Sequence, residues 1–317
     1  MAQQTLLEIV DAVTGELGLI QPSTVVSATD LQTVQLYNLV NRSGNAIRRM
    51  HQWTALQSLF TLNVGAPVVT TGNVTNGSAI ITGIPTTAAI TGGIFVVSGS
   101  SIPSAARVQT VDSSTQVTMN MVATGSATGT LLTFGQDTYP GPSDYDFSLN
   151  RTSWDRTNRW ELLGPASPQI DQWHQSGIVT TGPRRWFRFI GDITIAGTIY
   201  NYRLWPPPQV VGTPFQIAWE YASLNWCRSA AGTGQQSMTA DNDVPNIDSQ
   251  AIVLDVKWRF LEAKGFPTAK SMQIEAKDYL EQLIARDGSA PTLSMARQPY
   301  PLLLGPWNVP DGNWPSS

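Results

Sequence analysis

Amphipathic helical segments stand near both ends of this chain, and no other feature constrains its fold as much. Apolar stripes on helices must be buried, so segments distant in sequence are required to share one core. Over residues 3–17, Leu6, Val10, Val13 and Leu17 follow i, i+4, i+7, i+11 spacing, and Gly18 stands where a left-handed residue closes a helix. A second segment, residues 28–50, is expected to start at Ser27, with Asp30 three residues on as a variant capping box. Leu36, Leu39, Val40, Ile47 and Met50 form its stripe, Gly44 offers a place for close helix approach, and Arg48 and Arg49 suit the carbonyl end of the helix dipole. Far downstream, residues 249–264 and 267–286 form another pair around the turn Gly265-Phe266-Pro267. Val253, Val256, Phe260 and Ala263 face one way on the first of these, and Met272, Ala276, Tyr279 and Leu283 on the second. The expectation is one helical bundle built from residues 1–60 and 245–288.

Between the helical ends the pattern changes to β. From Val68 to Phe134 the only charges are Arg107 and Asp112, and runs such as "SAIITG", "GIFVVSG", "ARVQTV" and "TQVTMN" alternate between turn signals. Residues 61–136 therefore read as an inserted small β-sandwich. Residues 137–244 form a second β-rich region with more Trp, Tyr and Arg, in which "RRWFRFIGDITIAGTIYNYRLWPPP" reads as an antiparallel hairpin. Its alternating faces carry Trp186 and Arg188, then Tyr200 and Tyr202. The expected class is α+β. In residues 289–317, Tyr300, Leu302, Leu303, Leu304, Trp307 and Trp314 are interleaved with Pro299, Pro301, Pro306, Pro310 and Pro315. Prolines exclude a helix or a central strand there, while the apolar content is high for a solvated tail, so this stretch reads as an extended arm laid on another surface.

Charged residues make up 13% of the chain, against roughly 25% in an average domain, so much of the polar surface is Ser, Thr, Asn and Gln. A net charge of -4 argues against holding nucleic acid by counterion release. The lone Cys227, in the apolar run "IAWEYASLNWC", excludes an internal disulfide and reads as a buried thiol. The first residues lack the features of a signal peptide and no apolar run is long enough to span a membrane, which leads us to expect synthesis and folding in a cytoplasm.

Catalytic material is scarce. His51 and His174 are the only histidines, too few for a histidine metal site or a Ser-His-Asp triad. Asp144 with Asp146, and Asp241 with Asp243, are carboxylate pairs in turn-rich segments and are assigned turn and capping roles. "GTGQQS" lacks the lysine of a phosphate loop. No catalytic, cofactor or metal site is expected. Arg151, Arg156, Arg159, Arg184, Arg185 and Arg188 are instead interleaved with Trp154, Trp160 and Trp186. That mixture suits cation-π stacks or ion pairs with a neighbouring subunit, and Trp154, Arg156, Arg159, Trp160, Arg184, Arg185 and Trp186 are the inter-subunit candidates.

The ordered series "LLEIVDAVTGELGL", "NLVNRSGNAIRRMHQW", "RTSWDRTNRWELLGPASPQIDQW", "SGIVTTGPRRWFRFIGD", "RLWPPP", "FQIAWEYASLNWC" and "LDVKWRFLEAKGF" resembles the head-to-tail adaptor (connector) proteins of tailed bacteriophages, especially the short-tailed podovirus type. The resemblance implies a structural virion protein of the neck, assembled in the host bacterial cytoplasm and active in genome ejection. It implies a dodecameric ring docked between the portal protein and the tail nozzle or tail tube protein, through which double-stranded DNA passes. In that family a C-terminal arm reaches onto the portal, and residues 297–317 occupy its place, with Tyr300, Leu302, Leu303, Leu304, Trp307 and Trp314 as the portal-binding positions. Alternative contacts for them are the next adaptor subunit and the arm's own subunit, onto which it would fold back. The stretch 68–134 resembles Thr/Gly-rich β modules inserted in phage structural proteins. Rival readings are a virion-associated cell-wall glycosidase or a surface carbohydrate-binding protein. The insertion has no Trp, and Phe95 and Phe134 are its only aromatic residues, which weighs against a sugar platform there.

Overall fold

The computed structural model describes residues 3–176, 185–207 and 215–288. The chain is of mixed α+β class with antiparallel sheets. Helix α1 (Leu6–Leu17) opens on a capping box: Thr5 Oγ1 accepts from Glu8 N at 3.3 Å, and Glu8 Oε2 accepts from Thr5 N at 2.8 Å. Gly18 closes it with φ 67°, in the left-handed region that glycine enters without strain. Helix α2 (Leu31–Met50) is capped by Asp30 and not by Ser27, because the Asp30 carboxylate accepts from Thr33 N at 2.8 Å. That backbone bond holds its carboxyl below the usual range. A short helix α3 (Pro168–Gln175) lies in the middle of the chain, and α4 (Ser249–Ala263) and α5 (Ala269–Asp287) follow.

Helix α4 packs against α1, α2 and α5, and from Ala251 to Lys257 it is buried all round. Its two charges inside that stretch are compensated: Lys257 pairs with Glu16, and Asp255 accepts from Trp258 Nε1 and Arg259 Nε, both at 2.7 Å. One core takes Leu6, Ile9, Val10 and Val13 from α1, Leu36, Val40 and Ile47 from α2, and Val253, Val256 and Phe260 from α4. Tyr279 and Leu283 of α5 pack against its rim. Each such aliphatic side chain contributes about 1.5–3 kcal/mol of gross burial energy. Met50 and Ala263, expected in the stripes, are exposed, each in the last turn of its helix. Trp226 joins this core from the β region. Its indole donates from Nε1 to Gln236 O at 2.7 Å and lies flat on Gly44, where a methyl group would overlap the ring.

After β1 (Gln57–Val64) come β2 (Val68–Val74), β3 (Ile80–Thr82), β4 (Phe95–Gly99), β5 (Val108–Ser113), β6 (Gln116–Met119) and β7 (Ala127–Gln136). These last six form one antiparallel sheet in the order β4-β7-β2-β3-β6-β5, around its own core of Val97, Val108, Val117, Leu132 and Phe134. The two ends of the sheet meet: Val96 bridges Arg107, Val97 N donates to Ala106 O at 2.8 Å, and Gly93 N donates to Val108 O at 2.8 Å. Where two stacked sheets were expected, a single sheet rolls up and closes, which removes its edges.

Two sheets do face one another in the following region. They contain β8 (Thr138–Pro140), β9 (Tyr145–Ser148), β10 (Trp154–Asp155), β11 (Trp160–Glu161), β12 (Trp186–Ile195), β13 (Thr198–Trp205) and β14 (Phe215–Ser223). One sheet runs β1-β14-β10-β11 with β9 also on β14, and the other runs β12-β13-β8. Their shared core centres on Tyr202 and Trp219, stacked with ring centroids 4.2 Å apart and 8° between planes. The β12–β13 hairpin turns at Ala196 and Gly197, both at positive φ, as a two-residue turn matched to strand twist requires.

Charge ties these parts together. Asp137, fully buried where the closed sheet hands over to β8, accepts from both arms of Arg107 and lies 3.6 Å from Arg203 Nε. Arg203 also stands 3.7 Å from Asp171 of α3, which accepts from Arg188 at 2.8 Å. Arg48 of α2 pairs with Asp146 of β9, so it serves this joint as well as the helix terminus. Among the described residues no helix is long and apolar enough to cross a membrane.

Gly44→Ala is expected to lower stability by about 1–3 kcal/mol through overpacking against Trp226, measured by urea unfolding. Arg107→Ala strands the buried Asp137 and is expected to cost about 3 kcal/mol, at the low end for a broken buried pair because Arg203 stays close. Hydrogen exchange in β4 and β5 should report that loss first.

Candidate functional site

Strand β14 is the spine of the exposed site. It pairs with β1 from Gln57↔Ala222 to Val64↔Phe215, and with β10 through Trp154↔Ala218 and Asp155↔Ile217. Side chains alternate along strands, so Phe60, Leu62, Ile217, Trp219 and Tyr221 turn inward. Leu59, Glu220, Ala218 and Trp154 turn outward. Leu59 is 54% exposed and Trp154 45%.

The β10–β11 hairpin presents the rest. Asp155 is buried and holds the turn: its Oδ1 accepts from Thr157 N at 3.1 Å and Asn158 N at 2.8 Å, and its Oδ2 accepts from Asn158 Nδ2 at 2.8 Å. Arg156 and Arg159 project from that turn, Trp160 follows half-exposed, and Arg156 N donates to Gln216 O at 2.8 Å. Leu59, Trp154, Arg156, Arg159 and Glu220 line an open cleft of about 360 Å³. A flat indole, an aliphatic side chain, two guanidinium groups and one carboxylate can bury apolar area and form cation-π or ion-pair contacts with a protein.

The other inter-subunit candidates lie elsewhere. Arg185 is half-buried with its guanidinium 3.9 Å from the Phe215 ring centroid, and burial lowers its pKa. Trp186 pairs with Trp205 across the hairpin and its ring lies 5.0 Å from that of the buried His174. Both are spent on contacts within the chain. Arg184 and the arm positions Tyr300, Leu302, Leu303, Leu304, Trp307 and Trp314 lie outside the described residues.

Of the two carboxylate pairs, expected in turn and capping roles, only Asp243 holds a local turn, whereas Asp144, Asp146 and Asp241 tie together segments far apart in sequence. Asp144 accepts from Tyr221 Oη at 2.8 Å, Asn225 Nδ2 at 3.2 Å and Ser223 Oγ, and Asp146 faces Arg48. Asp241 Oδ1 accepts from Val25 N at 3.1 Å and Val26 N at 2.8 Å. Asp243 Oδ2 accepts from Thr239 N at 2.6 Å and Ala240 N at 2.9 Å. His51 meets Asp287 Oδ2 at 3.2 Å, and burial raises the Cys227 thiol to about 12. Among the described residues no cluster of three or more His, Cys, Asp or Glu side chains could hold a metal ion.

Leu59 and Glu220 escaped the sequence reading, as did strand β1 itself. The signal was present in "QSLFTLNV", which alternates with period two from Phe60 to Val64. Compared with protein-family models and with curated proteins, the chain matches none.

Asp155→Ala removes the acceptor for three donors and is expected to destabilise the hairpin by about 1–3 kcal/mol. Red-shifted Trp fluorescence below the global unfolding transition would register the freed Trp154 and Trp160.

Proposed function

We propose that this chain is a structural virion protein, a head-to-tail adaptor. Its copies form a dodecameric ring that joins the portal protein to the tail nozzle or tail tube and surrounds part of the channel for double-stranded DNA. One observation carries this reading. Four of the seven segments that bear the resemblance converge on a single core, with Val10 and Val13 from the first, Ile47 and Trp53 from the second, Trp226 and Cys227 from a later one, and Val256 and Phe260 from the last. Such convergence is what a shared helical scaffold would demand of them, with α1, α2, α4 and α5 as its bundle.

The insertion supports the reading from the opposite side. It has its own core and closes on itself, as a module added to a scaffold would. The outward face around Leu59 and Trp154, with Arg156 and Arg159 beside it, suits burial against a neighbouring copy, since Trp and Arg are the residues that most often anchor such contacts. Low charge and a mild negative balance suit a ring whose surface is largely covered by neighbours and whose bore must not hold DNA. The C-terminal segment with Trp307 and Trp314 is assigned to the portal.

The test combines assembly and attachment. Purified protein is expected to form rings, visible by electron microscopy and native mass spectrometry, and to bind portal-bearing heads. Trp154→Ala combined with Trp160→Ala should keep the melting temperature near that of the parent while weakening ring assembly at least tenfold, or about 1.4 kcal/mol. Trp307→Ala with Trp314→Ala should leave the rings and abolish head attachment. A protein that stays monomeric with portal present, or that clears peptidoglycan in a zymogram, overturns the adaptor reading.

A further inference from the structure

Strand β1 pairs with β14 along all eight of its residues, and among the described residues no strand pairs with its other edge. The β14 carbonyls of Gln216 and Glu220 are taken by Arg156 N and Leu149 N on the far side of that strand. The alternate β14 residues therefore bond to β1 through Ser58, Phe60 and Leu62, and Gln57, Leu59, Thr61 and Asn63 turn their backbone N–H and C=O groups to the open edge. A strand of this length offers about 26 Å of unpaired ladder. The devices that usually blunt such an edge are missing within it: Gln57–Val64 has no proline and no charge, and its register with β14 is unbroken.

The described chain ends beside this edge. Asp287, the last residue of α5, accepts from Thr54 N at 2.8 Å and from Thr54 Oγ1 at 2.7 Å, three residues before β1 begins. Residues 289–317 follow. In a strand, alternate residues turn their backbone polar groups to the same side. Pro299 and Pro301 share one parity, so Gln298, Tyr300, Leu302 and Leu304 share the other and keep every N–H on one side. Pro306 falls on that second parity and would end the pairing there.

We infer that residues 298–304 of the chain's own C-terminal segment add as a strand to the open edge of β1. Gln298, Tyr300, Leu302 and Leu304 supply the backbone bonds, and the prolines face solvent, where a missing N–H costs nothing. The nine intervening residues, 289–297, span up to about 30 Å, enough to reach any point on the edge, and hold the segment at high effective concentration. Trp307 and Trp314 lie beyond the stop at Pro306 and remain free for a partner. This docking does not depend on the adaptor reading and is tested on the isolated protein.

Hydrogen exchange at Leu59, Thr61 and Asn63 is the readout. Their amides should exchange at least tenfold slower in the full chain than after truncation following Gly288. Leu302→Pro should abolish that protection, whereas Leu303→Pro, on the solvent parity, should retain it. Equal exchange in full-length and truncated protein overturns the inference, as does equal damage from the two proline variants. Protection that grows with protein concentration would assign the occupant to a second copy and overturn docking within one chain.

Discussion

The contact between the Trp226 indole and the bare backbone of Gly44 governs how the two halves of this molecule meet. Trp226 directly follows β14 and its neighbouring residues, while Gly44 lies within α2, so one ring couples the helical core to the spine of the β region. The approach works only because Gly44 lacks a side chain. The Arg48–Asp146 pair lies one helical turn further along α2 and restrains the same joint, with charge where Trp226 uses shape. Around that joint the N-terminal helices and α5 are brought together by α4, which is buried all round from Ala251 to Lys257 where α1, α2 and α5 pack on it.

Local signals made the helices legible. Period-3.6 stripes and Gly18 as a left-handed stop are properties of short windows, and each has its physical counterpart in the structure, whereas Gly44, expected to admit a neighbouring helix, admits the Trp226 indole instead. The start of α2 was misplaced because Ser27 and Asp30 both have capping chemistry, and only Asp30 reaches the free N–H of Thr33. The arrangement of the sheets was not legible. Alternation in "GIFVVSG" or "TQVTMN" is the same whether a sheet stacks on another or rolls up, and the pairing of Val96 with Arg107 that closes it belongs to no single window. Asp137 likewise gave no hint of its role, since its partners Arg107 and Arg203 lie far from it in sequence.

The exposed surface was partly legible. Arg and Trp interleaving marked Trp154, Arg156 and Arg159, which line one cleft, and Trp160, which stands opposite Asp155 and so on the other face of the hairpin from Trp154. The same composition marked Arg185 and Trp186, but pairing of β12 with β13 and packing against Phe215 and His174 turn those two inward. Composition identifies residues able to make such contacts, and strand register decides which of them face outward. Leu59 was missed because it comes from the far side of the sheet, joined to Trp154 only through β14.

The strand that opens the closed sheet and the strand that ends it are hydrogen-bonded neighbours, Val68 lying opposite Phe134. The host region therefore meets this module through two chain crossings one strand spacing apart, about 5 Å. For inheritance, such a joint is a socket: foreign domains with similarly close termini could be exchanged there without retracing the path of the surrounding chain. Selection on the exchanged piece would then fall on its contacts at the boundary, among them a cation delivered to Asp137 and an apolar surface for Ile195 and Tyr200.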